Sequence, residues 1–347
     1  MTQAPRASAT PVLSALQAAV TGEVPPADVL EGWLAGLVQE GTAEHALALS
    51  RPRAGDPAWD DFRRRLKAQV AANRGRRMAG WQNDPRRRKV RVRFSVDAPA
   101  SDLHPPALLA SLARAFLDAG LPLAMGLEKV PRPALVLGHP LPQGVAGRGE
   151  WVDVGLDREP GLPLGELPAL LDAHAPAGVA FLDAALVPTY ASPVADLCRS
   201  ALWRWACPGP EREAAEGRTG AFLAAESFAM EKAGKTGGQK GLKRVEIRSL
   251  VEDMAWADGG LVFRTAIRQG QALNPRKLLA AILGREPAEV LGLERLELAL
   301  DEDPRLLEAE RYAPKLHNMF EDAVLLESGP NIRIVDEDDD EPIRLHD

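Results

Sequence analysis

Two stretches of this 347-residue chain bring together residue types that meet phosphate. The first runs from Met230 to Lys243, "MEKAGKTGGQKGLK", and sets Gly234-Lys235-Thr236 among glycines and lysines. A nucleotide-binding loop needs Gly-x-x-x-x-Gly-Lys-Ser/Thr, so that a tight turn and backbone amides cradle a phosphate between a strand and a helix. Here the position of the first glycine is Ala229, and Gly237-Gly238 follow Thr236 and discourage a helix. The spacing therefore excludes an ATP cradle. Lys232, Lys235, Lys240, Lys243 and Arg244 remain as a slim cationic finger, suited to electrostatic contact with a polyanion or simply to keeping a loop solvated.

The second stretch is the strongest electrostatic signal. Between Phe62 and Arg93 stand thirteen Lys or Arg and one acid, Asp84. Arg74, Arg76, Arg77, Arg86, Arg87, Arg88, Lys89, Arg91 and Arg93 form its dense part, and Trp81 lies inside it as a candidate stacking platform. Arginine forks match phosphate geometry. With no aromatic pair on an adjacent strand to read bases, the expectation is binding by shape and backbone. The alternative is that these arginines face solvent or pair with acids elsewhere, the acidic C-terminus included.

Other constellations carry less. The six histidines share no spacing with each other, with cysteine or with paired acids that would hold zinc. Cys198 and Cys207 are too few for a disulfide framework and read as core thiols. Glu150 and Asp153 flank Trp151, but residues three apart on a strand point to opposite faces, which argues against a catalytic carboxylate pair. Glu246 and Arg248 would share a face and make a salt bridge. No catalytic residue, metal or cofactor is expected.

The elements that must position these residues follow from periodicity. Residues 1–86 read as helical. Val29-Leu30, Trp33-Leu34 and Leu37-Val38 form one helical stripe. A further helix runs from Asp56 to Val70 and dissolves at Asn73-Arg-Gly and Trp81–Pro85. Period two then takes over. Val90, Val92 and Phe94 alternate with Lys89, Arg91 and Arg93, a half-buried strand with a cationic open face.

Strand, helix, strand, strand, helix, strand follow to residue 187. This is the split-βαβ order, an antiparallel sheet with helices on one face. A weaker copy spans 188–300, with Val194–Ala206 read as a helix, Gly220–Met230 as a strand, and a hairpin turn at Ala257–Gly260. The expected fold is α+β: a helical N-terminal region, two tandem ferredoxin-like units over 87–187 and 188–300, and a polar extension over 301–347 ending in a disordered acidic tail. No apolar run approaches membrane-spanning length and no secretory signal opens the chain, so a cytoplasmic protein is expected.

Phe94-Ser95, Ala119-Gly-Leu-Pro122, Pro131-Arg132-Pro133, Leu141-Pro-Gln-Gly-Val145 and Trp151-Val-Asp153 occur in an order that resembles the radical SAM-linked protein family, also called the DUF2344 family. "KRVEIRSLVEDM" and "LNPRKLLAAILG" extend the resemblance, which covers about residues 88–300. It implies a bacterial protein partnered with a radical SAM protein, and RNA or a ribosomal particle as a further partner by association. This chain lacks the three-Cys cluster motif of a radical SAM catalyst. It also departs from the family's Ser-His-Leu-Asp helix start, where Leu103-His104-Pro-Pro stands, and from its Asn-Pro-Arg-Pro loop, where Val130 and Ala134 replace polar residues.

The leading expectation is a non-catalytic RNA- or ribonucleoprotein-binding adaptor using the basic region, Arg132 and the 232–244 loop. The alternatives are an accessory subunit of a radical SAM enzyme that modifies RNA, and a protein-interaction module.

Overall fold

The computed structural model describes residues 11–308, apart from 40–41, 51–55, 82–85, 127–130, 208, 237–238, 258 and 269–270. The acidic tail and most of the polar extension lie outside the described residues. The chain divides into two compact units, Met1–Asp301 and Glu302–Asp347, and the first carries all that follows.

Four helices open it: α1 (Pro11–Thr21), α2 (Ala27–Gln39), α3 (Ala43–Leu49) and α4 (Pro57–Trp81). Leu16, Leu30, Leu37, Trp59, Phe62, Leu66 and Val70 recur at helical spacing and are buried together. The Asp56 carboxylate accepts the Trp59 N–H (3.0 Å) and so caps α4. That helix runs eleven residues past Val70, its expected end. Gly75 costs an α-helix only about 1 kcal/mol, and the good helix formers around it outweigh that.

A mixed α/β layer follows. Its elements are β1 (Arg88–Val96), α5 (Pro105–Asp118), β2 (Leu135–Leu137), β3 (Ala146–Leu156), α6 (Leu167–Asp172) and β4 (Val179–Val187). The strands lie in the order β4-β1-β3-β2, each antiparallel to its neighbour. Val90, Val92, Phe94 and Val96 turn one face of β1 into the core against α5, whose Leu112 and Phe116 are fully buried. The helical layer docks here: the His45 ring bonds Leu123 O (2.9 Å), Arg114 donates to Leu49 O (3.2 Å) and Gln17 to the Asp118 carboxylate (2.9 Å).

The remainder comprises α7 (Val194–Leu197), β5 (Cys198–Trp205), α8 (Arg212–Ala224), β6 (Ala229–Thr236), β7 (Gln239–Glu246), β8 (Val251–Ala257), β9 (Gly260–Arg268), β10 (Gln271–Ala272), α9 (Pro275–Leu283) and β11 (Leu293–Leu300). Its main strands lie in the order β11-β5-β9-β8, again antiparallel. The turn expected at Ala257–Gly260 joins β8 to β9. A Cβ on Gly260, at φ +120°, would stand 2.1 Å from Trp205 O, so only glycine fits.

Two expected elements are corrected. Val194–Ala206 is one helical turn followed by a strand, because Ala201, Trp203 and Trp205 alternate into the core. Gly220–Met230 begins inside a helix: Ala215, Thr219 and Phe222 make a buried stripe that overrides the weak propensity of Gly217 and Gly220.

The two spans expected to form separate tandem units share one sheet of nine strands. β11 runs parallel to β3, pairing Glu294 with Ala146 and Arg295 with Gly147. At this seam Arg295, with no exposed surface, forks onto Glu150 (Nε–Oε1 2.8 Å, Nη2 to Oε2), donates to His139 O (2.9 Å) and lies 5.2 Å over the Trp203 ring. Among the described residues no helix is long and apolar enough to cross a membrane.

Candidate nucleic-acid interface

The alternation of β1 puts Lys89, Arg91 and Arg93 on the face away from the helices, as their spacing requires. That face is not open along its length, because the segment between β4 and β5 crosses it. Lys89 Nζ donates to Ala191 O, and Arg91 Nη2 donates to Ser192 O (3.0 Å). The Asp153 carboxylate, directly across from Arg91, takes its fork (2.8 and 3.1 Å) and also the Val194 N–H (2.8 Å). The side chains of this pair are only 12% and 4% exposed. Arg91, expected to be an open-face cation, is therefore a structural fork.

Arg93 lies 5.8 Å over the Trp151 ring, in a notch that Gly149 keeps clear. A Cβ on Gly149 would come within 2.9 Å of the guanidinium.

The cations that converge are at the start of β1 and on the Pro131–Pro133 segment. The Gly126 N–H donates to Arg132 O (2.7 Å) and the Ala134 N–H to Ala124 O (2.8 Å), which holds that segment against residues 124–126. Arg87, Arg88, Lys89 and Arg132 rim a cavity of about 530 Å³, with Leu135, Val136 and Pro193 in its walls and Asp153 at its floor. Arg87 pairs with Asp157 (3.3 Å) and Arg88 with Glu159 (3.2 Å). Arg132 is exposed, and its guanidinium has no ion-pair partner among the described residues. It also borders a second cavity of about 530 Å³, shared with Leu47, Arg63, Leu109 and Arg114.

The other expected contacts are dispersed. Arg86 is exposed just before β1. Arg74, Arg76 and Arg77 fall on the last turns of α4, and Trp81 ends it; their side chains lie outside the described residues. Arg63, at the start of the basic run, donates to Ser50 O and Oγ (3.3 Å) and helps hold α3 to α4. Lys235, Lys240 and Lys243 lie on the β6–β7 hairpin, with side chains again outside the description, while Arg244 beside them is exposed. The expected Glu246–Arg248 salt bridge is replaced by another arrangement. Glu246 accepts the backbone N–H groups of Phe228 (2.9 Å) and Arg248 (2.8 Å), while the Arg248 guanidinium bonds Leu223 O and Val251 O (3.2 Å each).

The titratable groups here have structural roles. Burial raises the Cys198 thiol, which sits between Val194 O and the His139 N–H, each 3.3 Å away, and so keeps it inert. Burial, with Arg295 close by, pushes His139 down to about 4. Burial also lowers His45. Among the described residues no three His, Cys, Asp or Glu are grouped to hold a metal. As expected for strand residues three apart, Glu150 and Asp153 serve separate arginines. The Arg295–Glu150 seam was missed in the sequence, although Arg295 occupies an inward position, two residues from buried Leu293.

Residues 89–276 match the family model described as "Uncharacterized protein conserved in bacteria (DUF2344)". The chain belongs to the DUF2344 family. No curated protein matches it. The matched span runs from β1 into the start of α9. It includes Lys89, Arg132 and the β6–β7 hairpin, and it leaves outside the helical layer, Arg87, Arg88 and β11 with Arg295.

Proposed function

We propose that the chain is a non-catalytic RNA- or ribonucleoprotein-binding adaptor whose cleft at the start of β1 takes backbone phosphate. The observation that carries this is the convergence of Arg87, Arg88, Lys89 and Arg132 on one cavity with apolar walls. Three of these cations precede or open β1, and the fourth comes from more than forty residues later. The Asp157 and Glu159 carboxylates are exposed to water, and ion pairs screened in this way are worth only about 0–1 kcal/mol each, so a phosphate can take Arg87 and Arg88 from them at little cost. Arg132 needs no such exchange. Guanidinium forks suit this task, since they bind phosphate in two places at once.

We further infer that the two strand sets are split-βαβ, ferredoxin-like units fused side by side. The matching orders β4-β1-β3-β2 and β11-β5-β9-β8, each assembled from a βαββαβ series once the β6–β7 hairpin and the two-residue β10 are set aside, support this.

A mobility-shift titration of single-stranded RNA across salt concentration tests the function. Affinity should fall with a log–log slope of about 0.7 per phosphate neutralised. The triple variant Arg87→Gln/Arg88→Gln/Arg132→Gln should weaken binding about 100-fold at low salt and flatten that slope by about 2. Absence of binding by the unaltered chain at low salt, or an unchanged triple variant, overturns the reading.

A further inference from the structure

Helix α5 is apolar on two faces. Of its 14 residues only Arg114 and Asp118 are charged. Leu108, Leu112 and Phe116 are buried on the face toward the sheet. Pro106, Leu109, Ala110, Ala113 and Leu117 recur three and four apart and make the other face. A helix apolar all round is one that is covered all round. Here Leu47 and Ser50 at the end of α3, Arg63 of α4 and the Pro131–Pro133 segment close over the second face. Among the described residues they leave the second cavity of about 530 Å³, with that face of α5 as its wall.

The charge in this cavity is one-sided. Arg63, Arg114 and Arg132 border it, and no Asp or Glu among the described residues does. Two of the three are held in place from outside it. Arg63 Nε donates to Ser50 O and Oγ (3.3 Å each). Arg114 is bound by Asp118 at Nε (2.8 Å) and by Leu49 O at Nη1 (3.2 Å). Both η nitrogens of Arg63, Nη2 of Arg114 and the whole Arg132 guanidinium then have no partner among the described residues. Burial lowers Arg63 more than nearby Asp60 raises it, so its charge is under-compensated. Fixed guanidinium donors without a carboxylate between them suit an oxyanion. The α5 wall suits an apolar body, and the volume is that of a small-molecule site.

We propose that this cavity binds a small amphiphilic acid, a carboxylate or phosphate monoester on an apolar body, with its oxyanion among Arg63, Arg114 and Arg132 and its body along α5. The site is built jointly by the span that matches the family and by α3 and α4, which lie outside that span. A ligand there touches α3, α4 and α5 at once and so stabilises the docking of the helical layer. The proposal does not rest on the RNA-binding reading.

Isothermal titration calorimetry of the full chain with decanoate, decyl phosphate, decanol and inorganic phosphate tests it. Decanoate or decyl phosphate, whichever oxyanion the guanidiniums suit better, should bind one site about ten-fold tighter than decanol or inorganic phosphate. Arg63→Gln should weaken that acid about ten-fold and leave decanol unchanged. Ala113→Phe fills the cavity and removes no hydrogen bond. It should abolish binding of the acid and leave single-stranded RNA affinity unchanged. A thermal melt of each variant, matched to the unaltered chain, shows that the helices still dock. Should Arg63→Gln melt early, Ala113→Phe decides alone.

Decanol bound as tightly as both acids overturns the proposal, and so does an acid held undiminished by Ala113→Phe. A fall in RNA affinity in Ala113→Phe that matches the loss of the acid would assign the cavity to the nucleic acid and overturn a separate site. If neither acid binds the unaltered chain, this site falls and the cleft reading stands. If an acid binds as described and RNA does not, the cleft reading falls and this site stands.

Discussion

Arg88 and Arg91 lie three residues apart on one strand and meet opposite fates. Arg91 forks onto a carboxylate that is 4% exposed and is itself only 12% exposed. Arg88 reaches Glu159, whose side chain is 71% exposed. Arg295 repeats the first arrangement on the far side of β3, and Arg87 repeats the second at the rim. A basic run is thus two populations. Where the partner acid is buried, the arginine is committed to the fold, since separating the pair leaves a charge without water or partner. Where the acid is in water, the arginine can exchange it for a phosphate. The burial of the partner acid, not the density of the run, decides which.

The largest test of that division is at the seam between β3 and β11. Arg295→Met leaves Glu150 alone in the interior and should cost about 3–5 kcal/mol, read as a shift of the urea midpoint. Pairing it with Glu150→Leu should recover much of the loss, because two apolar side chains need no partner there. A single variant as stable as the unaltered chain would show that this pair does not hold the two strand sets together. Next in size is Asp153→Asn, which weakens both the Arg91 fork and the bond to the Val194 N–H. It should cost about 2–3 kcal/mol while leaving RNA affinity of the folded chain unchanged. A fall in affinity at full stability would return Arg91 to the binding surface.

Acid should strain the same seam. The folded-state pKa of His139 lies near 4, below the 6.5 of the free side chain. As pH falls below 6.5 the unfolded chain takes up a proton that the folded chain refuses, so stability is lost progressively between 6.5 and 4. The loss should be about 1 kcal/mol by pH 5.5 and no more than about 3 kcal/mol at the lower end. Urea midpoints from pH 7.5 to 4.5 measure this slope. His139→Leu should reduce it without abolishing it, since burial lowers His45 in the same direction. An unchanged slope would place the proton uptake elsewhere.

Much of the fold was legible because it rests on local periodicity. Val90, Val92 and Phe94 announce β1, and the order of elements to residue 187 can be read off the chain. Cys198–Trp205 was not legible as a strand, because the helical turn Val194–Leu197 runs into it and blurs its alternation. The candidate site was legible as charge but not as geometry. Arg132 and Arg87 are distant in sequence, and only the β3–β2 pairing brings them to one cavity. Nor does spacing within β1 show that residues 191 and 192 will lie across Lys89 and Arg91. That covering depends on Asp153, which reaches both Arg91 and the Val194 backbone, a long-range contact with no local signature.

The smallest expected effect bears most directly on the exposed population. Asp157 and Glu159 stand on the segment after β3 and hold the half-buried Arg87 and Arg88 through carboxylates that are themselves exposed. Asp157→Asn with Glu159→Gln should therefore change stability by no more than about 1 kcal/mol for each pair. If those acids compete with phosphate for the two guanidiniums, removing their charge should raise RNA affinity about three- to ten-fold at low salt, with the gain shrinking as salt screens the cleft. The same neutralisation at Asp153 should bring no gain, because an Asn side-chain oxygen can still accept the Val194 N–H and keep the 191–192 backbone over Arg91. Equal gains at both sites would show that charge alone governs binding. A gain confined to the rim would show that the β4–β5 segment separates arginines that hold the sheet from arginines that can meet a ligand.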